Sequence, residues 1–131
     1  PKLPKVIVEK KHKAVFNDVM KALKEMSANI TRSKRAQQNL AGKSYAVGIK
    51  TGGGNFTLSV QKSRMNVQAG IASKTDFIIV AQNPNIFIDW INDGSLTDSV
   101  IEGNLWLPSR DAFIILPTLD RLPRSIRRDL N

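Results

Sequence analysis

The chain contains no cysteine and only one histidine, His12. Without thiols it has no disulfides, no thiolate metal site and no cysteine nucleophile. A single imidazole in the lysine-rich stretch around Lys10, Lys11 and Lys13 reads as a solvated side chain rather than as part of a metal centre or a general-base dyad. Long apolar runs are missing as well. None approaches the roughly 18–20 residues of a membrane-spanning helix, and the N-terminal stretch has no apolar core of the signal-peptide kind, so a cytoplasmic location is the expectation.

Acidic residues are scarce in the first half. Residues 1–74 carry 15 Lys and Arg against Glu9, Asp18 and Glu25, whereas residues 75–131 carry five Arg against eight acids. Such asymmetry points to an anionic partner, either a phospholipid surface or nucleic acid. The candidate contacts are Lys10, Lys11, Lys13, Lys21, Lys24, Arg32, Lys34 and Arg35. The remaining composition, 41% hydrophobic and 24% charged over 131 residues, is that of one folded domain with a genuine core.

Residues 1–13 read as a basic extended arm, with two prolines and the β-branched run Val6, Ile7 and Val8. From Ala14 to Asn29, Val15, Phe16, Val19, Met20, Leu23 and Met26 recur at the spacing of an amphipathic helix. Residues 30–42 suggest a second short helix and its connection. The period then changes to two. Tyr45, Val47 and Ile49 alternate with polar or small residues, Gly52–Gly54 make a turn, and Phe56, Leu58 and Val60 alternate again. Met65, Val67, Ala69 and Ile71 form a third strand and 76–82 a fourth, and short connections predict antiparallel pairing. Asn83-Pro84 opens a helix that stops near Gly94. Ser95–Glu102 reads as a linker and 103–107 as a fifth strand. Ser109 or Asp111 caps a last helix that Pro117 should kink or split, and residues 123–131 form a basic tail.

Groups that could carry chemistry have plainer readings. Gly42-Lys43-Ser44 lacks the upstream glycine of a phosphate-binding loop, where Gln37 stands. Gly52–Gly54 precedes a strand rather than a helix, which fits a turn and not a phosphate cradle. Asp89, Asp93, Asp98 and Glu102 fall opposite the apolar stripe of Ile86, Phe87, Trp90 and Ile91, as a solvated face would. A base-stacking platform would need aromatics on the sheet face that holds Thr57, Ser59, Gln61, Asn66 and Gln68, and there are none. No catalytic set emerges, and no cofactor is called for.

Thr75–Leu122, TDFIIVAQNPNIFIDWINDGSLTDSVIEGNLWLPSRDAFIILPTLDRL, resembles the sterol carrier protein type 2 family. Asp76 matches the acid that leads a strand, Gly94 the glycine that ends a helix and Gly103 the start of the last strand, and the likeness extends over most of 43–122. Pro108-Ser109 stands where the family usually has a glycine.

The resemblance implies an α+β domain over residues 14–122, with a five-stranded, mainly antiparallel sheet, helices packed on one face and a cavity between the layers. Such a cavity takes a fatty acyl chain, a sterol or a similar apolar ligand without catalysis. Carried onto this chain, its lining comprises Phe56, Leu58, Val60, Met65, Val67, Phe77, Ile79, Leu105 and Leu107 from strands. Phe87, Trp90, Ile91, Phe113, Ile114 and Leu119 join them from helices. Family members also occur as accessory domains of larger enzymes, so an accessory or dimerisation role stands as an alternative, and a basic nucleic-acid-associated domain as another.

Strand alternation adds one expectation of its own. Inward Phe77, Ile79 and Leu105 send Ile78, Val80 and Trp106 to the face that should be wet. The arm at Val6–Val8, the C-terminal tail or a second copy of the chain would then cover them.

Overall fold

The amphipathic repeat of the first half forms one long helix, α1 (Lys10–Ile30), in a computed structural model that describes residues 3–131. It starts four residues before the Ala14 expected from the pattern, so the extended segment ends at Glu9. The early start buries His12, which is 7% exposed and not the solvated side chain expected. The reason lies in the glycine turn. A side chain on Gly53 would come within 2.1 Å of the His12 carbonyl oxygen, and one on Gly52 within 2.8 Å of His12 Nδ1. Only glycines let the first turn of α1 rest on the hairpin.

A short helix, α2 (Lys34–Leu40), follows, with Ser33 Oγ accepting from the Ala36 N–H at its start. The strands are β1 (Tyr45–Thr51), β2 (Gly54–Gln61), β3 (Arg64–Ala69) and β4 (Phe77–Ala81), in the order β3-β2-β1-β4. Pairs β1–β2 and β2–β3 are antiparallel hairpins with two-residue turns. The second turn, Lys62-Ser63, has both residues at positive φ, as the hairpin twist demands.

Two expectations for the sheet are corrected. β4 pairs with β1 in parallel, Val47 opposite Phe77 and Ile49 opposite Ile79, so the sheet is mixed. Residues 70–76 are not a hairpin turn. They cross the outer face, where Thr57 Oγ1 donates to the Gly70 carbonyl and accepts from the Ala72 N–H, and β4 emerges beside β1. Asp76 fixes the entry, its carboxylate accepting from the Ala46 N–H at 2.8 Å. The sheet also has four strands, not five. The 103–107 segment contributes a single bridge, Trp106 to Val80, instead of a strand.

The helices after the sheet are α3 (Asn85–Ile91), α4 (Leu96–Ile101), α5 (Arg110–Ile114) and α6 (Leu116–Leu130). α3 begins just after Asn83-Pro84 and ends where the Gly94 N–H reaches the Asp89 carbonyl. α4 lies in the stretch read as a linker. Ser95 caps it, and the Asp120 carboxylate accepts from the N–H of Leu96 at 2.7 Å and from Thr97 Oγ1 at 2.8 Å. Pro117 splits the last helix as expected, between α5 and α6. Residues 123–131 continue α6 rather than forming a separate tail, with Pro123 inside the helix. Its ring leaves the Leu119 carbonyl without a backbone donor. Buried Trp90 supplies one, Nε1 donating to that oxygen at 2.9 Å.

Candidate ligand site between sheet and helices

The inner face of the sheet carries Val47 and Ile49, Phe56, Leu58 and Val60, Met65 and Val67, and Ile79, all buried. α1 lies over the β2–β3 side. Phe16 meets Phe56 with ring centres 6.2 Å apart, and Phe56 meets Phe87 edge-on at 5.4 Å, which joins α1, β2 and α3 in one apolar row.

Beside that row, where β1, β2 and β4 face α3, α4 and α6, a small void remains. Its lining is wholly apolar: Val47, Ile49, Leu58 and Ile79 from the sheet, Phe87, Trp90, Leu96 and Leu105 to the side, and Ile115, Leu116 and Leu119 over the top. The void measures about 20 Å³. One water needs roughly 10–15 Å³ on the same measure, so the interior is closed to anything of lipid size.

Three solved structures share this arrangement over nearly their full length. The ubiquinone synthesis protein UbiJ-SCP2 aligns with a TM-score of 0.60 at 17% identity, over 86% of this chain and 98% of its own. A conserved hypothetical protein of Thermus thermophilus, suggested to be a sterol carrier protein, aligns at TM-score 0.54 and 12% identity, over 93% and 95%. Apo sterol carrier protein 2 from Yarrowia lipolytica aligns at 0.50 and 10%, over 91% and 92%. The fold is that of the sterol carrier proteins. No family model and no curated protein matches the chain, so the likeness is one of fold.

Within this sterol carrier fold, the expected lining residues divide into four groups. Leu58, Ile79, Phe87, Trp90, Leu105 and Leu119 meet at the void. Phe56, Val60, Met65 and Val67 belong to the same core without lining it, and Phe77, Ile91 and Leu107 are half-buried at its margin. Phe113 and Ile114 are a correction: they are 49% and 65% exposed. Ala112 and Ile115 take the inward positions of that turn, which leaves Phe113 and Ile114 on the outer side. The lining residues not anticipated are Val47, Ile49, Leu96, Ile115 and Leu116. The strand alternation already placed the first two beside Phe56 and Leu58, and Leu116 sits three residues before Leu119, whereas Leu96 lay hidden in a short helix.

On the outer face, Val80 is buried and Ile78 and Trp106 are half-buried. Ile71, from the crossing segment, touches Gly48 in company with Ile78. Pro4 and Lys5 line a recess together with Val80 and Trp106, while Ile7 and Val8, expected as the cover, are exposed. The arm is held by backbone bonds instead, from Ile7 to the Gln82 side chain and from the Glu9 N–H to the Gly52 carbonyl.

The charged side chains expected to meet an anionic surface are all exposed. Two are engaged, Lys11 with Glu9 at 3.3 Å and Arg35 with Asp129. The Arg35 backbone N–H, Ser33 and the Arg35 guanidinium together hold the Asp129 carboxyl at about 2. Burial pushes the Tyr45 phenol up to about 12, and among the described residues its oxygen has no hydrogen-bond partner. No helix among them is long and apolar enough to cross a membrane.

Proposed function

We infer that this chain binds an acyl chain, a sterol or another apolar ligand between the sheet and the α3–α6 layer, and does so without catalysis. The observation that carries the reading is the wholly apolar lining of the void at the point where the covering helix is broken. A ligand site of ordinary size has several hundred Å³, so uptake requires the α5–α6 wall to move outward. That wall is suited to moving, because the break lies at Ile115 and Pro123 has removed one backbone bond from the segment.

Three carboxylates of the domain have structural duties. Asp76 tethers β4, Asp120 caps α4 and Asp129 joins α6 to α2. The closed interior favours one second reading, an accessory or dimerisation domain whose core stays shut.

Native mass spectrometry of the purified protein, followed by titration with a fluorescent fatty acid, separates the two readings. A co-purifying lipid mass or saturable uptake supports the carrier. A bare protein mass with no uptake rejects it and leaves the accessory role.

A further inference from the structure

Counted along the chain, residues 75–131 are acidic on balance. Folding sorts that charge. The acids of α5 and α6 flank the outer side, with Asp120 turned to the start of α4 and Asp129 to the start of α2. Arg127 pairs with Asp93 at 2.8 Å. Among the described residues Arg110, Arg121, Arg124 and Arg128 form no ion pair and are exposed.

These four share one face with apolar residues. The break at Ile115 interrupts the helix assignment but not its winding: the backbone there stays right-handed helical (φ −79°, ψ −20°), so the helical phase of α5 carries on into α6. Arg110, Ile114, Pro117, Arg121, Arg124 and Arg128 follow at spacings of four and three and fall within an arc of about 80°, with Phe113 at its edge. Every position on this arc is exposed, and none is acidic. Half-exposed Phe113 and largely exposed Ile114 therefore stand at one end of a cationic stripe.

We propose that this outer face of α5–α6 docks the protein on an anionic phospholipid surface, with Phe113 and Ile114 entering the interface and the arginines resting on headgroup phosphates. Apolar knobs beside unpaired cations are what an interfacial membrane site needs, since burial of the first and attraction of the second add together. A nucleic-acid face would use the arginines but would leave two large apolar side chains in water. The exposed lysines of α1 make a poorer surface, because Asp18 and Glu25 are exposed among them. Docking is read independently of ligand uptake, so either conclusion can fail alone.

The test is sedimentation of the full chain with vesicles of phosphatidylcholine, with and without phosphatidylglycerol. Binding is expected only to the anionic vesicles and should fall as salt rises. Arg121→Glu, Arg124→Glu and Arg128→Glu combined should weaken it on the order of a hundredfold. Phe113→Ser with Ile114→Ser should weaken it about tenfold. Lys13→Glu, Lys21→Glu and Lys24→Glu, an equal change of charge on α1, should have a much smaller effect. Circular dichroism checks folding, and the glutamine versions of the arginine changes replace any variant that loses helix. The proposal is overturned by absence of binding to either vesicle, by equal losses in the two triple variants, or by a triple-arginine loss seen only with a random oligonucleotide.

Discussion

Two helical walls cover the inner face of the sheet, and they are built differently. α1 runs unbroken from Lys10 to Ile30 and packs on β3 and α3, with Val19, Leu23, Met26 and Ile30 of its stripe buried. The α5–α6 wall breaks at Ile115, carries a proline within α6 and depends on a side chain from α3 to satisfy its own backbone. The wholly apolar void lies beneath the second wall. A wall that must stay shut has a complete hydrogen-bond ladder. The one with gaps in its ladder lies over the space that a ligand would enlarge.

The contrast is open to direct tests. The largest effects should come from truncating each wall. Leu23→Ala in α1 and Leu116→Ala in α6 remove side chains that are 0% and 1% exposed, and each should cost about 2–5 kcal/mol in urea unfolding. Only Leu116→Ala should raise uptake of an apolar fluorescent probe; equal gains from both would remove the distinction.

Next in size is Trp90→Phe, which leaves the Leu119 carbonyl buried and unpaired and should cost about 1–3 kcal/mol. In a Pro123→Ala background the restored N–H takes that carbonyl, and the cost should shrink. Strict additivity in this double-mutant cycle would show that Trp90 is not filling the proline's gap. Asp120→Ala frees the N–H groups of Leu96 and Thr97 at the start of α4. A loss of about 0.5–2 kcal/mol, seen as a lower thermal midpoint, is expected.

The last effect is absent at neutral pH and concerns alkali. Tyr45, the only tyrosine, has its folded pKa raised to about 12 by burial. The folded state thus holds the proton more tightly than the unfolded chain does. The resulting stability is fully present below pH 10 and is lost as the pH rises towards 12. Tyrosinate absorbance reports the titration directly, and Tyr45→Phe should flatten the alkaline decline; an ordinary pKa near 10 would contradict the burial.

Much of the architecture follows from local rules. The two periods of the apolar pattern gave the long helix, the three consecutive strands and the inward set of Phe56, Leu58, Val60, Met65 and Val67. The proline at 117 gave the break in the last helix. The site was partly legible for the same reason, since strand alternation names the residues on a face. It failed at Phe113 and Ile114, where a run of apolar residues, AFIIL, offers a helix more apolar side chains than one inward stripe can hold, and neighbouring elements decide which of them turn out. It failed too at α4, whose six residues are held by Asp120 from a distant helix.

By itself the sequence determined α1 to α3, the four strands with their inward faces and the point at which the covering helix breaks, because each depends on spacing within a few turns. The tertiary structure alone decided that β4 joins β1 in parallel, that His12 lies against the glycine turn, and that Arg110, Arg121, Arg124 and Arg128 stay unpaired among the described residues while Arg127 is engaged by Asp93. Alternation of period two states which face is apolar and says nothing of the strand alongside. Charge counted along a chain likewise says nothing of which acids are spent on distant backbone groups, and that distribution sets the surface a partner meets.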